Sequence, residues 1–399
     1  MKNITALFIM CLLLPVSLAA ADFGLVLDQS ASAAGIEETA FEYEAVLIPR
    51  LVCMFGDSGE LYISAGLTAG YNEDGYIVPE LLRTEFSWRF GEAKITAGRM
   101  QYAAPFAYVA EGLFDGVQFV YDSPVGTFNA GAWYTGLLYK KKANITVTAE
   151  DTQNYYADVE YDNFADTYFA SRRMVAAVGW EHPSLAELVN ARLAFAAQTD
   201  LNDRSDFLHS QYFMAKIGIP AGQFMVELGG ALELEETGGN SGIGLAGELG
   251  IFWTLPVSLV SRLSFTGYFS SGRAADSSLA AFSPITDKSC GDILEAKPSG
   301  ISALSLDYTA RLHNTLSAGL SLSYFIRSDL ETYSGYPVDV QSGDEYFLGN
   351  EFFARCIWSP VSDLQINLGG GIFLPAMGNV APDGQPQWRV GLAAILSLY

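Results

Sequence analysis

Eleven basic side chains stand at face-alternating positions in otherwise oily segments: Arg50, Arg83, Arg89, Lys94, Arg173, Arg192, Lys216, Arg262, Arg311, Arg355 and Arg389. Seven acids share that register: Glu44, Glu85, Glu227, Glu233, Glu248, Asp307 and Glu351. Opposite charges in this pattern can brace a wall as a lattice of salt bridges. They can also present a basic belt whose field favours anions. Both readings stay open at the level of sequence. The set holds half of the chain's 22 Lys and Arg, although the formal net charge is −23. That acidity argues against nucleic-acid binding, which needs a basic footprint.

Covalent chemistry finds little support. A hydrolytic site needs a nucleophile, a base and an orienting group within hydrogen-bond reach. Of the three histidines, His182 and His313 fall in short turns, and His209 falls at a strand end beside Ser210. No phosphate-cradling glycine loop, dinucleotide fingerprint or zinc-ligand spacing occurs, so no catalytic, cofactor-binding or metal-binding residue is expected. The segment 139–167 opens with Lys140-Lys141-Lys142 and continues with Glu150, Asp151, Asp158, Glu160, Asp162 and Asp166. It reads as a solvated loop, as a constriction folded into a lumen, or as a loose divalent-cation site. As an EF-hand it fails, because Asn163 stands at the turn glycine and Phe169 at the bidentate Glu.

The elements that carry these charges are strands. In 364–374 the even positions are Leu364, Ile366, Leu368, Gly370, Ile372 and Leu374, and the odd ones are mostly polar or bare. Side chains alternate faces with period two, so one face is oily. With 346–358 and the turn 359–363 this arm makes a hairpin. Similar segments recur at 23–30, 41–55, 60–71, 79–90, 92–101, 114–122, 126–138, 168–181, 187–199, 208–219, 222–236, 241–255, 257–271, 300–312, 315–327, 344–358, 362–375 and 386–399. The fold class that follows is all-β: a transmembrane antiparallel β-barrel of about 18 strands (16–18) with a polar lumen and a lipid-facing exterior. The charged set then lines the lumen.

The connections alternate in length. Short ones such as 56–59, 182–184, 220–222 and 313–315 would be periplasmic turns, and long ones at 30–41, 102–113, 139–167, 272–299, 328–343 and 376–385 extracellular loops. Trp88, Trp180, Trp253 and Trp358 each precede a short turn on the oily face, as an interfacial aromatic girdle would. Lys2, the apolar stretch Ile4–Leu14 and Ala19-Ala20-Ala21 read as a signal peptide, residues 1–21, cleaved after Ala21, with 22–399 a single barrel domain. The mature chain keeps Cys53, Cys290 and Cys356, an odd number that argues against a disulfide framework.

Two fragments resemble the alginate-export-type outer-membrane porins. One is Gly98-Arg99-Met100-Gln101 at a strand end, followed by Asp115-Gly116 in the next strand. The other is Gly349-Asn350-Glu351 with the late corner Gly371-Ile372-Phe373-Leu374-Pro375, where Phe353 replaces an acid of that family's pattern. The resemblance implies an eighteen-stranded barrel with a transport role. The expectation is a bacterial outer-membrane channel for passive diffusion of small hydrophilic solutes, anionic ones favoured if the basic belt acts. Its other partners would be outer-membrane lipid and the barrel-assembly machinery, which would read the last strand ending at Tyr399. Monomer and trimer both stay open. The alternatives are a fatty-acid-type carrier of hydrophobic compounds and an adhesin that displays the loops.

Overall fold

The computed structural model describes residues 18–36, 38–202, 207–257, 259–273, 279–333, 335–338, 345–376 and 385–398. Residues 1–17 of the expected signal peptide and the terminal Tyr399 lie outside the described residues.

Eighteen antiparallel strands form one closed sheet. They run β1 (Leu18–Gly35), β2 (Thr39–Phe55), β3 (Gly59–Asn72), β4 (Asp74–Phe90), β5 (Ala93–Ala103), β6 (Glu111–Ser123), β7 (Gly126–Tyr134), β8 (Arg173–Leu185) and β9 (Val189–Asp200). The second half continues with β10 (His209–Ala221), β11 (Phe224–Thr237), β12 (Asn240–Thr254), β13 (Ser261–Ser270), β14 (Ile301–His313), β15 (Leu316–Arg327), β16 (Phe347–Val361), β17 (Leu364–Pro375) and β18 (Gln387–Leu398). Each strand pairs with its sequence neighbours, and β18 closes on β1 from Leu25↔Leu398 to Gly35↔Trp388. Closure leaves no free first or last strand in the sheet.

The alternation seen in sequence becomes an oily outer band. Leu47, Phe119, Val178, Leu193, Phe213, Leu228, Phe265, Leu320, Phe352, Leu368 and Leu392 are exposed large hydrophobics on that surface. Trp88 and Trp358 are exposed beside short turns, and the Trp180 indole N–H donates to the Val125 carbonyl at 2.9 Å. Cys53, Cys290 and Cys356 are free thiols.

Three expectations are corrected. The first strand does not end near 30, and 30–41 is not a long loop. Ala31–Gly35 stays in register against both β2 and β18, and β2 already begins at Thr39. Small residues carry too little pattern to be read as strand, yet two paired neighbours fix them. The segments 135–138 and 168–172 do not extend β7 and β8. They bend away together, bridged at Tyr139↔Phe169, into a connection holding helices α1 (Lys140–Ala143), α2 (Ala149–Tyr156) and α3 (Phe164–Thr167). A capping box starts α2, where the Thr148 hydroxyl accepts from Asp151 N–H and the Asp151 carboxylate accepts from Thr148 N–H. The described part of the 271–300 connection does not stand out as a solvated loop but packs into the barrel, where Phe282, Ile285 and Ile293 are buried against inward-facing Tyr212, Tyr268, Phe325 and Phe373.

Candidate functional site: the lumen

Strand register puts the charged set on the inner side, most members beside outward hydrophobics such as Leu193 next to Arg192 and Phe352 next to Glu351, while Arg83 lies at the β4 bulge between Leu82 and Thr84. Among the described residues, Arg83, Arg89, Arg173, Arg192, Lys216 and Arg389 are ion-paired there. Arg89 lies 3.7 Å from Asp122, Arg192 lies 3.1 Å from Glu181, and Lys216 lies 3.2 Å from Glu227 and 2.8 Å from Glu248. Arg83 pairs with Glu85 and rests over the Tyr62 ring, and Arg389 pairs with Glu295. Arg173, fully buried at the start of β8, sits between Asp151 of α2 at 2.5 Å and Asp200 at 3.1 Å. It ties the β7–β8 connection to the wall. Arg262 stacks 4.0 Å from the Phe252 ring centroid. Lys94, Arg262, Arg311 and Arg355 carry no ion pair among the described residues, whereas Arg50 is engaged, next to Gly24. Asp307 and Glu44 also face inward, and Glu44 accepts from the Tyr76 hydroxyl at 3.4 Å.

Two of the expected acids hold a loop. Glu351 accepts three backbone N–H groups, from Asp292 at 2.7 Å, Ile293 at 2.9 Å and Leu294 at 3.0 Å. Glu233 accepts from Ser283 N–H at 2.7 Å and from the Ser210 hydroxyl at 2.7 Å. The Tyr212 and Tyr268 hydroxyls donate to the carbonyls of Ser283 and Pro298. Four wall side chains therefore anchor the inserted 271–300 segment through its backbone, which answers the need of a buried loop for hydrogen-bond partners. The 104–110 connection joins it, since Phe106 and Val109 are buried in the same cluster and Ile285 N–H donates to the Val109 carbonyl. The Cys290 thiol at its tip is pushed up to about 12 by burial. Asp287 is raised, chiefly by burial and against the opposing Thr146 hydrogen bond and the Lys297 charge.

Sequence reasoning missed Arg99 and Glu80. Between Ile63 and Ala65 the β3–β4 register slips, because β4 carries an extra residue there. Leu81 and Phe86 both face out, so the inward parity changes within 81–86, and Glu80 turns inward at 5% exposure. The adjacent pair Leu81-Leu82 is the sequence signal for that break. Beyond it the upper edge of β4 has no ladder to β5, whose pairing starts at Thr84↔Arg99. The edge is closed by side chains instead. Tyr161 bonds both Ile77 N–H and its carbonyl, Tyr168 donates to the Pro79 carbonyl, and Arg99 donates to the carbonyls of Leu81 and Leu137. Arg99 also forms a two-armed pair with Asp115, each contact 2.8 Å. Gly98 beside it has φ +119°, and a Cβ there would lie 2.3 Å from the Thr84 carbonyl, so the glycine is required. The Gly-Arg and Asp-Gly fragments thus have a local structural role.

What remains is an open region of the lumen bounded by β1–β4, β17 and β18 on one side and by the β7–β8 connection on the other. Its cavity measures about 1220 Å³, with Glu42, Glu44 and Glu80 on the wall and Lys141 and Lys142 across from it. Lys141 lies over the rings of Tyr155 and Tyr156 at 4.3 and 5.2 Å. Burial lowers the ammonium pKa of both Lys140 and Lys141. Nδ1 of each histidine is engaged locally, with Ser184 N–H for His182, Asp200 N–H for His209 and the Thr315 hydroxyl for His313. No metal-holding cluster exists among the described residues, including the acids of 139–167.

This geometry matches solved outer-membrane protein structures. OccK2 (OpdF) of Pseudomonas aeruginosa superposes with TM-score 0.64 at 12% identity, covering 96% of this chain and 99% of that one. The same protein in complex with glucuronate gives 0.62 at 12%, covering 96% and 98%. OprD of P. aeruginosa gives 0.60 at 14%, covering 95% and 94%. The barrel has the OprD-type fold. The alginate-export-type assignment gains no support from these matches. No protein-family profile and no curated protein matches the sequence.

Proposed function

We propose that the chain is a bacterial outer-membrane diffusion channel for small hydrophilic solutes. The observation that carries this is the half-filled lumen: inserted loops pack one side, while a charged, polar cavity of about 1220 Å³ stays open on the other. Barrels of 16–18 strands are wide enough for an aqueous path unless loops close it. The wall supplies the path and the loops set its bore. The inner bases without ion pairs, Lys94, Arg262, Arg311 and Arg355, bias passage toward anionic groups. The glucuronate complex of OccK2 is in keeping with that bias. The remaining inner charges brace the wall as a lattice. Signal-peptide cleavage after Ala21 and delivery to the assembly machinery through the last strand belong to the same reading.

The inward packing of 271–300 removes the long loop an adhesin would display, and residues 22–35, which follow the expected cleavage point, form a strand rather than the plug of a fatty-acid-type carrier. Planar-bilayer conductance of the refolded mature chain under a salt gradient tests the proposal. Steady open steps are expected, with a reversal potential displaced toward anions. A folded, heat-modifiable barrel that never conducts would overturn it.

A further inference from the structure

Two polar side chains on the open side of the lumen are buried and lack partners. Glu80 on β4 is 5% exposed, and neither carboxylate oxygen meets a hydrogen-bond donor among the described residues. Thr68 on β3 is 3% exposed, and its hydroxyl is unpartnered as well. They are diagonal neighbours on the inner face, because Thr68 pairs with Val78 and Gly66 with Glu80. Both line the 1220 Å³ cavity.

A carboxylate taken out of water without a donor is costly, so the arrangement favours a cation that brings donors with it. Lys142 lines the same cavity and its charge acts on Glu80, yet no ion pair or hydrogen bond joins the two among the described residues. Arg99, near enough for its charge to act, is committed to Asp115 and two carbonyls. The cavity also offers Glu44 and the rings of Tyr76 and Tyr139, surfaces that attract an ammonium over a π face.

We propose that Glu80 and Thr68 form a subsite for the ammonium group of a small solute in transit. This rests on the channel reading and narrows it. Lys142, on the facing side of the cavity, then meets the anionic end of a zwitterion. A solute carrying both charges is served at the extracellular half by this subsite and further in by the bases of the belt.

Benzylammonium and benzoate, similar in size and opposite in charge, make the probes. Each is titrated into the refolded full barrel in detergent by calorimetry, and added as a blocker in planar bilayers. Saturable benzylammonium binding is expected, weakened about tenfold or more in Glu80→Gln, as loss of a charge-assisted hydrogen bond implies. Thr68→Val should weaken it less, and benzoate should not compete. Thr68→Val carries the test if Glu80→Gln fails to give a heat-modifiable barrel. Unchanged benzylammonium affinity in both folded variants overturns the subsite, as does equal competition by benzoate. The two readings fail separately. Binding without conductance would sink the channel and keep the subsite; conductance without benzylammonium binding would do the reverse.

Discussion

The inner faces of β10, β13 and β15 and those of β1, β2, β3 and β4 obey the same alternation, yet they carry different cargo. The first group presents Tyr212, Tyr268 and Phe325, all buried under the inserted 271–300 segment. The second presents Glu42, Glu44, Thr68, Glu80 and small residues such as Ser30 and Ser32, all lining open space. Aromatic rings on an inner wall bury area only if something packs on them, and the loop does so. Short polar and acidic residues gain nothing from such packing, so the space in front of them stays open. Which inward residues a strand carries thus decides where the lumen fills.

The test with the largest expected effect attacks the seam between the two sides. Arg173→Met leaves Asp151 and Asp200 buried without their cation, at a cost of about 3–5 kcal/mol. A marked fall in the temperature of heat-modified migration is expected, with unstable conductance as α2 comes loose. A variant as heat-resistant as the parent would mean that the β7–β8 connection is held by packing alone. Next, Glu351→Ala strips three N–H groups of the inserted segment of their acceptor, at a cost of about 1–3 kcal/mol. Open-channel conductance should rise, because the filled side loosens. An unaltered step size would show that aromatic contacts suffice to hold the segment.

Much of the barrel was legible in the sequence because period-two alternation is imposed by lipid outside and water inside. Leu364–Leu374 and Val226–Leu234 can satisfy both solvents in only one register. What escaped obeys local geometry. The β4 bulge shifts parity without changing the number of oily residues, so Glu80 read as outward. Arg99 was invisible because its partner carbonyls on Leu81 and Leu137 come from a wall gap that only the closed fold creates. The fate of 271–300 was readable in principle, since Phe282, Ile285, Ile293 and Leu294 are too apolar for an exterior loop. The charged set reads out as positions but not as roles, because pairing depends on which neighbour each base finds across the strand.

A smaller effect separates lattice from belt. Replacing Arg262, Arg311 and Arg355 together with Gln removes bases that carry no ion pair, so stability should change by less than about 1 kcal/mol. The reversal potential should move away from anions. If it stays put while Arg192→Gln shifts it, the paired lattice and not the unpaired bases sets selectivity.

The smallest effect lies where the two long connections touch. Asn144 donates through its side chain to the Asp287 carbonyl at 2.7 Å, and Asp287 N–H donates to the Asn144 carbonyl at 2.9 Å. The Asp287 carboxyl accepts from Thr146 and lies 3.9 Å from Lys297. Burial nonetheless raises its pKa, so the folded state holds this proton more tightly than the unfolded chain does. The stability it contributes is complete below the unfolded value of about 3.9 and fades as pH rises through the raised one. The wild-type barrel should therefore lose part of its heat resistance as pH rises above about 4, and Asp287→Asn should lose less of it over the same rise. Other carboxyls titrate in that range too, so the difference between the two proteins is what isolates this junction. An identical pH response in both would mean that Lys297 and Thr146 offset the burial and that the junction is indifferent to protons.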